Sequence, residues 1–228
     1  MNGNEIQGIV ALSLLVGGVA TLAALPVAFA LAWLLARGRF PGKVVLDAAV
    51  HLPLVLPPVV TGWLLLLAFG PNGPAGRLLA ELGTSVLFRW TGAAIAAGVM
   101  ALPLMVRAIR LSIEAVDRRL EQASRTLGAG RWRTFARITL PLSLPGVLAG
   151  AVLGFARSIG EFGATITFVA NVPGETQTLP LAIYAALQRP DGEAMVWRLA
   201  AVSVALSLSA LVASELLARR AGRGVHVL

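Results

Sequence analysis

The sequence predicts an all-α integral membrane protein, a bundle of about five transmembrane helices. Hydrophobic residues make up 57% of its 228 positions and charged residues only 13%, whereas a soluble domain is roughly 25% charged. The charged residues also leave long uncharged runs, 31 residues between Glu5 and Arg37 and 29 between Asp47 and Arg77. About 20 apolar residues cross a bilayer, so each run suffices for one span. An ordinary soluble domain and a disordered chain are both excluded.

The remaining uncharged runs complete the set of spans. Runs of 17 and 16 residues each suffice when the arginines at their ends extend to the interface. A 19-residue run before Arg157 and a 13-residue run after Glu161 join into one long span. A single transmembrane domain, residues 1–228, is expected, with spans at 9–36, 46–70, 91–111, 142–170 and 197–217.

The basic residues predict the orientation of these spans. Of the 19 lysines and arginines, 14 fall on one side: three after the first span, eight between Arg107 and Arg137, and three after the last span. Basic loops face the cytoplasm, so the N-terminus is expected outside and the C-terminus inside. The net charge of +8 therefore reflects topology, and no nucleic-acid partner is expected.

The sequence lacks the phosphate-binding and metal-binding motifs that would indicate an enzyme. The only lysine, Lys43, follows Phe-Pro-Gly, so no G-x-x-x-x-G-K-[ST] phosphate-binding loop exists. The chain has no cysteine and only two histidines, so no metal site is predicted. We expect a chain that binds no cofactor and hydrolyses no ATP by itself.

The longest cytoplasmic loop, at about 112–141, carries the strongest positive signal. It reads as two short helices broken at Gly128-Ala-Gly130, where glycine permits a positive φ. Each helix has an apolar stripe flanked by arginines: Leu120, Ala123 and Leu127, then Trp132, Phe135 and Ile138. Such a surface suits either anionic lipid or the groove of a partner protein.

This loop resembles the EAA loop of ABC importer permeases, which ends in a glycine, nine residues, an isoleucine, one residue and Leu-Pro. The matching positions are Gly128, Ile138, Leu140 and Pro141. The Glu-Ala-Ala positions fall on Gln122, Ala123 and Ser124, with Glu121 one place early, so either Glu121 or Gln122 takes the role of the glutamate. The resemblance implies that the loop docks into a cleft of a separate subunit that binds ATP and Mg²⁺, entering it with the helix Gly130–Ile138.

Three further stretches, 51–60, 103–110 and 155–168, are similar to the molybdate group of these permeases, and the last also resembles sulfate permeases. The resemblance implies the type I ABC importer permease fold in a cell inner membrane, working as a dimer with two ATP-binding subunits and an external oxyanion-binding protein. Molybdate is the expected substrate, with sulfate or tungstate as alternatives. An ion-coupled carrier is a further alternative, although a carrier would not need the 112–141 loop.

The fourth span carries two features. Gly146, Gly150 and Gly154 recur every four residues and continue to Ser158, a ridge that predicts close helix packing. Arg157 and Glu161 are the only charged pair placed within a span, and intramembrane charges face a cavity or pair with one another. They are candidates for an outer gate or for a structural ion pair.

The second span contains Pro57 and Pro58, and a proline removes a backbone donor from a helix. This region is expected to be either a kinked packing helix or a broken helix that lines the transport pathway.

Overall fold

The computed structural model describes residues 3–223, with side chains up to Ser209 and at Val212 in the last helix. Within these residues all regular structure is helical, which confirms the predicted fold class. The helices are α1 (Gly3–Arg37), α2 (Lys43–Val55), α3 (Pro58–Phe69), α4 (Pro74–Glu81), α5 (Trp90–Ala115), α6 (Arg118–Thr126), α7 (Arg131–Thr134), α8 (Leu140–Ile159), α9 (Gly163–Val169), α10 (Leu179–Leu187) and α11 (Glu193–Arg223). A π-helical turn, Phe135–Thr139, joins α7 to α8.

Three long helices, α1, α5 and α8, pack against one another and form the centre of the bundle. The first half of α5 is rich in alanine and glycine, and its buried face lies against α1. Gly98, for example, lies where an added Cβ would be 3.4 Å from the Ala20 carbonyl oxygen. Small residues let membrane helices approach closely, since lipid provides no hydrophobic drive between them.

The glycine ridge of α8 lies against α5. Gly146, Gly150 and Gly154 are all buried. A Cβ added at Gly146 would overlap the Cβ atom of Ser112, and one at Gly150 would lie 3.2 Å from the Met105 carbonyl oxygen. The four-residue spacing thus marks the contact between two central helices.

The expected span 46–70 is not one helix. Leu56 and Pro57 are extended, and α2 and α3 meet at an angle of 116°. Pro58 occupies the start of α3, where its missing N–H costs nothing, whereas a continuous helix would lose hydrogen bonds at both prolines. The helix is therefore broken at this proline pair rather than kinked, and the expectation that it lines the transport pathway stays a prediction.

The expected span 142–170 is also interrupted. Helix α8 ends at Ile159, and α9 begins at Gly163. Gly160 and Gly163 flank the break, and glycine disfavours a helix interior by about 1 kcal/mol. Glu161 therefore lies between two helices, which corrects the expectation that it lies on a helical span.

Spans 9–36 and 91–111 correspond to α1 and α5, and span 197–217 falls within α11. Among the described residues, three helical segments are long and apolar enough to cross a membrane: Gly3–Arg37, Trp90–Ala115 and Arg131–Ile159. The bent pair α2–α3 is a fourth if it counts as one span.

Candidate functional site

The 112–141 loop begins with a capped helix. The carboxylate of Asp117 accepts a hydrogen bond of 2.9 Å from the Arg119 N–H, which satisfies one of the free donors at the start of α6. At the other end Gly128 has φ 86°, and its N–H bonds to the Arg125 carbonyl. A glycine here ends the helix without strain, as the sequence predicts.

Glu121 ties this loop to the first transmembrane helix. Its Oε1 accepts hydrogen bonds from Arg37 Nη2 at 3.0 Å and from Thr139 Oγ1 at 2.8 Å. Both charged side chains are nearly buried, with 12% of Arg37 and 15% of Glu121 exposed. The same Arg37 nitrogen donates to the carbonyls of Ile113 and Val116, each at 3.1 Å. One ion pair therefore joins the end of α1, the end of α5, α6 and the π turn.

The neighbouring glutamine is placed differently. Gln122 is exposed, as is Ala123, whereas Ser124 is half-buried and its hydroxyl lies 3.2 Å from that of Thr134. Of the two candidates for the glutamate of the EAA pattern, Glu121 holds the loop from within and Gln122 is free at the surface. Nothing in the sequence indicates that Arg37, 84 positions earlier, is the partner.

The second half of the loop is less regular than expected. Helix α7 spans only Arg131–Thr134, and the π turn follows. Pro141 cannot donate to the Arg137 carbonyl, and its ring crowds that oxygen, so a wider turn is favoured here. The expected Gly130–Ile138 helix is therefore a short α-helix followed by a π turn.

Aromatic contacts fix the π turn to the membrane helix. The ring of Phe135 meets those of Phe29 and Trp33 in α1 edge to face, with centroids 5.9 and 6.4 Å apart. Trp132 also contacts Phe135, at 6.3 Å, but is 84% exposed. The predicted stripe thus divides: Phe135 faces α1, Ile138 is half-buried, and Trp132 projects from the surface.

An apolar face of α6 is exposed. No residue of α6 is buried, and Leu120 and Leu127 are 49% and 89% exposed. Ala123 lies between them on the same face by its spacing. Within residues 3–209, this apolar stripe is therefore not buried against any other part of the chain.

At the opposite end of α8, Arg157 and Glu161 form the predicted ion pair. Arg157 Nη1 lies 2.6 Å from Glu161 Oε2, and the other carboxylate oxygen accepts a bond of 2.9 Å from the Ala164 N–H. Glu161 thereby caps α9 as well as pairing with the arginine. The Glu161 side chain is only 2% exposed, whereas that of Arg157 is 27% exposed.

The two helix breaks adjoin each other. A Cβ added at Gly163 would lie 2.7 Å from the Pro58 Cβ atom, and one at Gly62 would lie 2.5 Å from the Ala164 carbonyl oxygen. The hydroxyls of Thr61 and Ser158, which lie near these breaks in sequence, are buried without a hydrogen-bond partner among the described residues. Pro58, Arg157 and Glu161 thus belong to one region, around the short half-helices α3 and α9.

These features define the membrane subunit of a transporter: a helical bundle with two broken helices and a rigidly held basic loop at one end. Solved ABC transporters share the fold. A chain of the MetNI methionine ABC transporter superposes with TM-score 0.70 at 17% identity, covering 97% of this chain and 99% of that one. An alginate importer chain gives TM-score 0.77 at 17% identity, with coverages of 96% and 80%.

The family follows from the sequence comparison. The model of the "binding-protein-dependent transport system inner membrane component" family matches residues 24–223, and the chain belongs to that family. The "Molybdenum transport system permease protein ModB" of Escherichia coli K12 is 58% identical, over 94% of this chain and 96% of the relative. ModB of Haemophilus influenzae is 57% identical, with 92% of each chain covered. The E. coli "Sulfate transport system permease protein CysT" is 39% identical, over 86% of this chain and 70% of the relative.

Proposed function

We propose that this chain is the permease subunit of an ATP-driven importer of molybdate. Identity of 58% to a molybdenum permease over 94% of the chain, against 39% to a sulfate permease, supports molybdate over sulfate. Two copies would enclose the pathway, with an ATP-binding subunit on the cytoplasmic side of each and an oxyanion-binding protein outside. ATP and Mg²⁺ would bind to the partner subunit. Sulfate and tungstate are the alternative substrates.

The exposed apolar face of α6 is the observation that carries this function. We place this face in the cleft of the ATP-binding subunit, in place of the expected Gly130–Ile138 helix, because that segment is a short α-helix and a π turn whose Phe135 packs against α1. Leu120, Ala123 and Leu127 lie in the cytoplasmic loop, and the Arg37–Glu121 pair holds them from the opposite side. An apolar stripe flanked by arginines fits a groove of another protein. A rigid attachment to α1 and α8 is what a loop needs in order to pass movement from an ATPase to the membrane helices. An ion-coupled carrier would have no use for this arrangement.

Substituting Leu127 tests the docking. Leu127→Asp places a charge on the face that would be desolvated in the complex, and we expect the ATP-binding subunit to bind at least about 100-fold more weakly. Co-purification and titration of the ATP-binding subunit measure this. The matched control is Leu82→Asp, because Leu82 is 78% exposed and lies on the opposite side of the membrane in the proposed topology. Equal binding by both variants would contradict docking through α6.

We place the outer gate at the two adjoining helix breaks, with Arg157 as its charged group. Glu161 pairs with Arg157 through one carboxylate oxygen and accepts a hydrogen bond from the Ala164 N–H through the other, so its part is to position the arginine. The Arg157 side chain is partly exposed and bears the charge that would attract an oxyanion. Pro57, Pro58 and Ser158 shape the same region.

Arg157→Ala is expected to abolish molybdate uptake, by at least about 100-fold, while the subunits still assemble. Glu161→Gln is the comparison: it retains an acceptor for the Ala164 N–H but frees the arginine. We expect this variant to keep the fold and to lose control of the gate, seen as ATP hydrolysis without the binding protein. Uptake by Arg157→Ala at the wild-type rate would rule out a role for this residue in the pathway.

A further inference from the structure

A large cavity lies between the end of α1 and the 112–141 loop. Its volume is about 760 Å³. Residues of α1, α6, α7 and the π turn line it, and the ion pair of Arg37 and Glu121 forms part of its wall. Docking through the outer face of α6 does not use this inner space.

The cavity is strongly basic. Arg118, Arg125 and Arg131 line it together with Arg37, and the only carboxylate in the lining is that of Glu121. Glu121 is already bonded to Arg37 and Thr139. Within the described residues no ion pair is found for the other three arginines, and Arg37 Nε is buried without an acceptor. The cavity therefore offers three uncompensated positive charges and a buried donor.

The opposite wall of the cavity is apolar and lies deeper. Phe29, Ala30 and Trp33 belong to the uncharged run of α1 that ends just before Arg37. Phe29 lies eight residues before Arg37, which is about 12 Å along a helix. The cavity thus extends from the charged boundary of the membrane into the region of acyl chains. Trp33 is 43% exposed at this boundary, where tryptophan is enriched in membrane proteins.

We propose that this cavity binds an anionic phospholipid of the cytoplasmic leaflet. The phosphate would lie among Arg118, Arg125 and Arg131, and one acyl chain would follow the groove over Ala30, along the aromatic wall that includes Phe29 and Trp33. Basic pockets beside transmembrane helices on the cytoplasmic side bind lipid head groups in this way. The bound lipid would brace the 112–141 loop against α1, alongside the Arg37–Glu121 pair.

The positive charge of the cavity and its depth in the membrane together favour a lipid as the ligand. A free oxyanion would use the arginines but leave the apolar wall empty. A soluble protein could reach the arginines, but not residues within the hydrocarbon layer. A phospholipid satisfies both parts of the cavity at once.

The test measures lipid bound to the full chain, purified from membranes with the subunits that remain attached. Native mass spectrometry and quenching of tryptophan fluorescence by brominated lipid compare phosphatidylglycerol with phosphatidylcholine. We expect preferential binding of phosphatidylglycerol, weakened about 100-fold in the triple variant Arg118→Gln, Arg125→Gln, Arg131→Gln. The matched control, Arg107→Gln, Arg133→Gln, Arg137→Gln, removes the same charge from exposed arginines that do not line the cavity and is expected to retain binding.

A second variant separates lipid from free anion. Ala30→Trp fills the apolar groove without changing the charge, so phosphatidylglycerol binding should fall while the fold, followed by the thermal unfolding midpoint, is retained. Equal loss of lipid binding in both triple variants would contradict the proposal, because it would show that the lipid responds to the overall surface charge and not to this cavity. Competition by millimolar inorganic phosphate as strong as that by the lipid, or unchanged lipid binding by Ala30→Trp, would overturn it. These readouts are independent of transport and of which substrate is carried.

Discussion

Glu121→Ala is expected to detach the 112–141 loop from the membrane helices and to abolish the coupling of ATP hydrolysis to transport. The substitution leaves Arg37 nearly buried with its charge uncompensated, and breaking a buried pair in this way costs about 3–5 kcal/mol. Since both side chains retain slight exposure, we expect a loss near 3 kcal/mol in the free energy of unfolding. Thermal unfolding of the purified complex and ATP hydrolysis stimulated by the loaded binding protein measure the two effects.

The adjacent residue provides the control for this result. Gln122→Ala removes an exposed side chain that is not part of the Arg37 network, and it should change stability by no more than about 0.5 kcal/mol. The double variant Arg37→Met, Glu121→Met replaces the pair by apolar side chains and should recover much of the stability. If Glu121→Ala were as stable and as well coupled as Gln122→Ala, the ion pair would not hold the loop.

Gly146→Ala is expected to push α8 away from α5 and to lower the stability of the bundle. The added methyl group would overlap Ser112 Cβ and lie 3.1 Å from the Ala108 carbonyl oxygen, so the helix backbones themselves must move. Overpacking of this kind costs about 1–3 kcal/mol, and we expect the upper end. The midpoint of thermal unfolding in detergent reports the loss.

Alanine substitutions at two other glycines provide comparisons for this loss of stability. Gly154→Ala meets the flexible Met105 side chain, with Sδ 2.5 Å from the added Cβ, so the methionine can adjust and the loss should be smaller. Gly18→Ala in α1 has no atom within 4 Å and gains helix propensity of up to about 1 kcal/mol. The expected order of stability is Gly18→Ala, Gly154→Ala, Gly146→Ala, and a reversed order of the last two would refute the packing described for α5 and α8.

Local signals in the sequence account for much of the fold. The uncharged runs predict α1 and α5 closely because a charge within the bilayer is costly. Gly128 predicts the break after α6 because only a residue that tolerates positive φ ends a helix there. The spacing of Gly146, Gly150 and Gly154 predicts a packing face, though not that α5 is its partner.

These local signals do not predict contacts between residues that are far apart in the sequence. Arg37 reads as the charge that ends a span, and only the packing of α1 against α5 brings it to Glu121. The i, i+4 spacing of Arg157 and Glu161 suggests a continuous helix, yet the same ion pair forms across a helix end. The split of the Trp132–Phe135–Ile138 stripe depends on the π turn, where a period based on the α-helix no longer applies.

Molybdate accumulation in proteoliposomes tests the central claim most directly: this chain moves its substrate only when an ATP-binding subunit acts on the 112–141 loop. The chain would be reconstituted alone, and with its ATP-binding subunit and loaded binding protein, with ATP present or absent. We predict accumulation only in the complete system with ATP, and less ATP hydrolysis with a sulfate-loaded than with a molybdate-loaded binding protein. Accumulation by the chain alone, without ATP, would contradict the account.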